Sequence, residues 1–115
     1  MTTNFEIIEK TVDDIRIIKV CGELDALVAP KLKERIAKQI ELDINKFVID
    51  FGDLVHINSL AMGILRGKLR VVRDLGGDIK LVGLNDHIRT IFEMIGLDEL
   101  FDIYATEEEA IASFR

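Results

Sequence analysis

The sequence predicts an α/β fold, with a mixed, mostly parallel sheet of four to five strands and about four helices in a single domain over residues 1–115. Three observations carry that reading. Short β-branched runs (IRIIKVC, FVI, DIKLV) recur along the chain. Between them, apolar residues spaced three and four apart mark helices. Pro30, Gly76, Gly77 and Gly96 stand where those segments begin or end.

In chain order, residues 5–11 (FEIIEKT) and 15–21 (IRIIKVC) read as an antiparallel hairpin, with Asp13 and Asp14 as its turn. In the second strand Ile15, Ile17 and Cys21 share one parity, and Ile18 and Val20 the other, so both faces are at least partly covered. GELD at residues 22–25 closes the hairpin. A helix over about residues 27–42 turns Leu32, Ile36, Ile40 and Val28 inward and takes Pro30 in its first turn. Residues 78–82 form another strand, and Asn85 or Asp86 caps a helix through Ile88, Ile91, Phe92 and Ile95. Residues 101–104 make a last short strand. Thr106 and Glu109 have capping-box spacing and open a terminal helix with Ala110, Ile111 and Phe114 inward.

Residues 46–77 organise the rest. Phe47, Val48 and Ile49 read as a strand buried on both faces, after which residues 50–58 leave the sheet. From Leu60 the period becomes helical, with Leu60, Ile64, Leu65, Val71, Val72 and Leu75 predicted on the inner side and Gly76 and Gly77 ending the helix. Ser59 therefore sits where a strand hands over to a helix, beside unpaired N–H groups and the positive end of the helix dipole. A hydroxyl in that position suits carrying or contacting negative charge, and Ser59 reads as a switch. The same wheel places Ser59, Met62, Gly63, Arg66 and Arg70 opposite the apolar stripe, with Met62 exposed as adaptable contact surface. The arginines read either as partner contacts or as an ordinary solvated face. Asp25 is either a partner contact or an N-cap for the first helix.

Composition narrows the function class. A net charge of −6 disfavours direct nucleic-acid binding. No apolar run approaches the ~20 residues that cross a bilayer, so no direct membrane role is expected. Residues 1–10 show no export leader, and Cys21, the single cysteine, reads as a structural thiol, so a cytoplasmic protein is expected. Several chemical motifs fail on spacing. Gly63 to Leu69 lacks the Walker arrangement. Asp53, His56 and Ser59 lie too close in one loop to converge as a hydrolase triad. His56 and His87 do not make a zinc site, and the acidic run at residues 107–109 reads as helix-dipole complement. Asp50 and Asp53, following a strand, leave magnesium or nucleotide binding as a minor alternative.

GELD at residues 22–25, FVIDF followed by INSLAMGIL, the helix ending GG, NDHIRTIFEMIGL and the closing TEEEAIASF together resemble the STAS domain, most closely its single-domain anti-sigma factor antagonists. The resemblance covers nearly the whole chain. Where family members read D-S-S/A/T-G-L-G, this sequence has Asn58, Ser59, Leu60, Ala61, Met62 and Gly63. The family's phosphorylated serine falls on Ser59, its small following residue on Leu60, and its glycines on Ala61 and Gly63, with Asn58 in place of the aspartate. The resemblance implies a noncatalytic partner switch without cofactor or metal. The unphosphorylated form binds an anti-sigma factor serine kinase and frees the sigma factor; phosphorylation of Ser59 breaks that complex, and a protein phosphatase restores it. The resemblance adds Asp25 and Asn58 to the Met62, Gly63 and Arg66 that the helix wheel offers as expected partner contacts. Within the same fold, the alternative is a scaffold or accessory subunit of a stress-signalling complex or membrane transporter.

Overall fold

The computed structural model describes residues 5–115, so the expected lack of a leader falls partly outside it, on residues 1–4. β1 (Phe5–Val12) and β2 (Ile15–Leu24) form the antiparallel hairpin, with Asp13 in the left-handed turn conformation that aspartate tolerates. Then come α1 (Ala29–Glu41), β3 (Lys46–Asp50), β4 (Leu54–Ile57), α2 (Ser59–Asp74), β5 (Asp78–Val82) and α3 (Asp86–Met94). A 3₁₀ turn at Leu97–Glu99, β6 (Ile103–Tyr104) and α4 (Glu107–Ala112) complete the chain. The strands lie in the order β1-β2-β3-β5-β6, and every pairing except β1 with β2 is parallel.

The sheet has six strands among the described residues, not four to five. The addition is β4, in the segment expected to leave the sheet. Its buried residues are Leu54 and Ile57, with Val55 and His56 exposed between them, so no two-residue alternation advertises it. It pairs with the far end of β2, which runs on past the predicted stop at Cys21 to Leu24 through an irregularity between Gly22 and Glu23. β2 thus pairs with β3 along its first half and with β4 along its second.

Both faces of the sheet are covered, as the parity of β2 predicts. Ile18, Val20, Phe47, Ile49, Ile79 and Leu81 face one way, into the core shared with α1, α2 and α3. Ile15, Ile17, Val48 and Val82 face the other, beneath Ala110, Ile111 and Phe114 of the α4 segment. Lys80 shares that second face and is buried, with its ammonium 3.1 Å from Asp102 and 4.9 Å above the Phe114 ring. Helix starts follow the predicted caps: Asn85 accepts from the Ile88 N–H, and Thr106 from the Glu109 N–H. α2 stops at Gly76 and Gly77. A side chain at Gly77 would begin 1.7 Å from the Asn45 carbonyl oxygen, so the backbone there approaches too closely for any residue but glycine.

The inner face of α2 is rotated from the predicted one. Ala61, Met62, Leu65, Leu69 and Val72 are buried, while Leu60, Val71 and Leu75 are exposed and Ile64 is half-buried. Only Leu65 and Val72 of the predicted stripe are fully inside. The reason is the handover from β4: its pairing with β2 fixes where α2 begins and how it is turned, and Ala61, Leu65, Leu69 and Val72 then recur with helical spacing toward the sheet.

α4 is tied to the sheet by charge as well as packing. Glu107 meets Lys10 of β1 at 2.9 Å and lies close enough to Asp50 at the end of β3 for each carboxyl to shift the other's proton affinity. Burial, then that contact, holds the Asp50 carboxyl above its ordinary range, although the Gly52 N–H donates to it at 2.7 Å. Glu107 is held below its ordinary range by Asp50 and then Lys10, against its own burial. The signs oppose. Asp50 contributes stability that is fully present below its unfolded pKa and lost as pH rises through its raised one. Glu107 contributes stability that is present above its unfolded pKa and lost as pH falls through its lowered one. Asp50→Asn keeps an oxygen for the Gly52 N–H and removes the desolvated charge. Its melting temperature is expected to exceed wild type at about pH 7 and to converge on it below about pH 3.5, where a carboxyl is neutral, as read by thermal denaturation across pH.

Candidate functional site

The loop between β4 and α2 is built from backbone outward. Leu24 and Ile57 are partners across the β2–β4 pairing, and the Asn58 N–H donates to the Leu24 carbonyl at 3.1 Å. Asn58 is the N-cap of α2: its side-chain oxygen accepts from the Ala61 N–H at 2.9 Å, and its carbonyl from the Met62 N–H at 3.2 Å. Such a cap is worth about 1 kcal/mol, and asparagine supplies the acceptor as well as aspartate does. Those two bonds use the N–H groups of Ala61 and Met62, so the Ser59 and Leu60 N–H groups are the ones at this helix end without an intrahelical acceptor. Ser59 is the first helical residue and is exposed.

The end of β2 lies alongside. Since Leu24 pairs with Ile57, the loop that follows β2 runs beside the start of α2. Asp25 orders that loop: one carboxylate oxygen accepts from the Leu27 and Val28 N–H groups, each at 3.0 Å. Its carbonyl accepts from the Ala29 N–H at 2.9 Å, so Asp25 caps the turn that leads into α1. Leu27 is left exposed in this loop, as Leu60 is in the next.

An open groove of about 450 Å³ starts at Ser59 and runs along α2 between Leu60, Gly63, Ile64, Gly67 and Val71, with Lys33 of α1 and Lys68 on its walls. Gly63 and Gly67 have nothing within 4 Å of where a side chain would start, so this strip of helix is open to close approach. Leu60, Ile64 and Val71 belong to this strip because of the rotation of α2 described above. Arg66 and Arg70 are exposed on the next face, lining a second groove with Leu100. Arg73 there is committed to Asp78 at 3.0 Å and to the Leu100 carbonyl at 2.7 Å.

Of the predicted contacts, Asp25, Asn58 and Ser59 are brought together, and Gly63 lies one turn along the same helix face. Arg66 is exposed but lies on the neighbouring groove. Met62 is corrected: it is 7% exposed and packs in the main core, so it offers a partner almost no surface. Sequence reasoning missed Leu60 and Val71 as surface residues by assigning them to the core, whereas Ile64 is half-buried and packs against the core while lining the groove. The signal that could have found them is Ala61, Leu65, Leu69 and Val72, an alternative apolar stripe in the same segment. Asp53 pairs with Lys19 at 2.9 Å, and no group of three or more histidine, cysteine or acidic side chains among the described residues is arranged to hold a metal ion. The sequence predicts a buried structural thiol at Cys21; burial does raise its pKa, but the residue is only half-buried and lies outside both cores. No helix among the described residues is long and apolar enough to cross a membrane.

Comparison with known proteins extends this geometry. The family model for the STAS domain matches residues 6–110. The anti-sigma-B factor antagonist of Listeria monocytogenes is 31% identical over 109 residues, covering 95% of this chain and 95% of its own. A Thermotoga maritima crystal structure, described as an anti-sigma factor antagonist, superposes with a TM-score of 0.89 at 26% identity, covering 93% of this chain and 92% of its own. The unphosphorylated form of SpoIIAA, an anti-sigma factor antagonist from Bacillus, superposes with a TM-score of 0.83 at 26% identity, covering 96% of each chain. The phosphorylated form of SpoIIAA gives 0.76 at the same identity, covering 96% of this chain and 99% of its own.

The buried position of Met62 has a direct consequence. Met62→Ala is expected to lower stability by about 2–5 kcal/mol, the cost of emptying a filled core position, as measured by urea denaturation. A change under about 0.5 kcal/mol, normal for a surface residue, would mean that Met62 lies outside the core.

Proposed function

The chain belongs to the STAS domain family and its anti-sigma factor antagonist group, and from that premise we propose that it binds a kinase-type anti-sigma factor through the surface around Ser59 and is released when Ser59 is phosphorylated. The observation that carries this reading is the exposed Ser59 hydroxyl at the first residue of α2, at one end of an open apolar groove. Apolar side chains beside two glycines suit a helix or loop of another protein pressed against α2. By this reading, binding occupies the anti-sigma factor and liberates the sigma factor in the cytoplasm. The kinase then transfers the γ-phosphoryl group of ATP to Ser59 Oγ, with ADP and a proton released, and a phosphoserine phosphatase reverses the change.

The physics of release follows from where the charge lands. Phosphorylation adds about −1.5 to −2 charges and a strongly hydrated group. In the free domain that group sits beside the open N–H groups of Ser59 and Leu60 and the positive end of a 16-residue helix, with Lys33 and Lys68 on the same groove. The fold has little to rearrange. In a complex the same group loses its water against an apolar contact, at a cost of several kcal/mol, and each ~1.4 kcal/mol is tenfold in affinity.

Titration calorimetry against the purified anti-sigma kinase tests the proposal. Ser59→Ala is expected to bind within about threefold of wild type and to accept no phosphate, whereas Ser59→Asp loses at least about tenfold in affinity. Equal affinity of the two variants, or phosphate mapped by mass spectrometry to another residue, contradicts it.

A further inference from the structure

Among the described residues, the outer edge of β1 is the longest unpaired stretch of backbone in the sheet, and its sequence is complementary to itself. β1 spans eight residues and, among the described residues, pairs only with β2, while the opposite edge strand, β6, has two. The two-residue turn after Val12 makes Val12 and Ile15 a mutually hydrogen-bonded pair, so Glu6, Ile8 and Lys10 also turn their backbone groups toward β2. Phe5, Ile7, Glu9 and Thr11 turn theirs outward. One observed bond supports this alternation independently: Gly22, opposite Phe5, sends its N–H away from β1, to the Asp53 carbonyl at 2.9 Å.

Side chains divide the same way. Phe5 and Glu9 face α1, where Lys31 lies 4.9 Å over the Phe5 ring and Arg35 holds Glu9 at 2.6 Å. Glu6, Ile8 and Lys10 stand on the opposite face, the side of α4, with Ile8 44% exposed. A second copy of the strand, added antiparallel about a two-fold axis, must match outward residues with outward residues. One such register sets Ile8 against Ile8 of the second copy, Glu6 against Lys10, and Lys10 against Glu6. Ile7 then exchanges backbone hydrogen bonds with Glu9, and Phe5 with Thr11. Slipping two residues one way puts Glu9 against Glu9; slipping two the other way puts Glu6 against Ile8. Charges on an edge strand ordinarily discourage pairing. Here they oppose the neighbouring registers and favour a single one, with an isoleucine pair at its centre and an ion pair on each side.

We propose that β1 is a self-association edge through which two copies of this chain join their sheets into one continuous antiparallel pairing at Ile8. The second copy adds on the side of β2 away from β4, the strand that delivers Ser59, so the switch surface stays free in the dimer. Seven paired residues bury less than the ~800 Å² per partner of a stable interface, so the dimer is weak and forms with a dissociation constant on the order of 100 µM.

Sedimentation equilibrium of the purified chain up to about 1 mM reads this directly. Wild type is expected to move from monomer toward dimer mass over that range. Glu6→Lys and Lys10→Glu each set like charges opposite one another twice, and each is expected to weaken self-association at least about tenfold. An equimolar mixture of the two variants restores opposite charges at both positions and is expected to dimerise as wild type does. That recovery also separates the interface from the Lys10–Glu107 ion pair within one chain, which Lys10→Glu removes whether or not its partner is present. A wild type that remains monomeric at 1 mM, single variants that associate as wild type does, or a mixture that stays monomeric overturns the proposal.

Discussion

The pairing of the last residues of β2 with β4 is the constraint on which the rest depends. It holds Ile57 against Leu24, anchors the Asn58 N–H on the Leu24 carbonyl, and so decides where α2 starts. With that start set, the helix has one way to turn an apolar face to the sheet, and Ala61, Met62, Leu65, Leu69 and Val72 go inside. Ser59 then emerges at the mouth of the helix, while Leu60, Gly63 and Gly67 lie in the open along an apolar groove that the half-buried Ile64 also lines. A four-residue strand with two exposed residues thus determines which side chains a partner meets. The β-branched run of β3 supplies the buried floor beside it, but β3 alone does not orient α2.

Much of the architecture was legible because each element carries its own local signal. The β2 parity announced a sheet covered on both faces, which the two separate cores bear out. Asn85, Thr106 and the Gly76-Gly77 pair marked ends where caps and a close backbone approach are found. What was not legible came from long-range pairing. β4 is recognisable as a strand only through its contact with β2, and the continuation of β2 to Leu24 depends on the same contact. The segment of α2 holds two overlapping apolar stripes, and periodicity alone cannot choose between them. That ambiguity placed Met62 outside and Leu60 inside. Lys80 was unreadable for a related reason: a lysine in a buried strand is tolerated here because Asp102 and two aromatic rings receive it from other elements.

The position of Ser59, by contrast, rested on the onset of helical period at Leu60, and the helix begins one residue earlier, at Ser59 itself. It matters physically because a helix start is among the few places on a small domain where a doubly charged group is accommodated without unfolding anything. Asn58 keeps the capping acceptor without adding a negative charge next to the serine, and Asp25 spends its carboxylate on ordering the neighbouring loop. Both residues shape the surface through the backbone they hold. In the proposed switch, phosphate acts on the complex much more than on the fold, since in the free domain water completes its solvation beside the helix N–H groups and in a complex an apolar contact displaces that water.

The most direct measurement of that asymmetry takes the chain phosphorylated at Ser59 and compares it with the unmodified chain in two ways: thermal unfolding alone, and affinity for the anti-sigma kinase. The account predicts melting temperatures within about 3 °C of each other, a difference under ~1 kcal/mol, together with an affinity loss of at least about a hundredfold. Phosphorylated chain that binds as tightly as unmodified chain, or that loses affinity only because it unfolds, contradicts it.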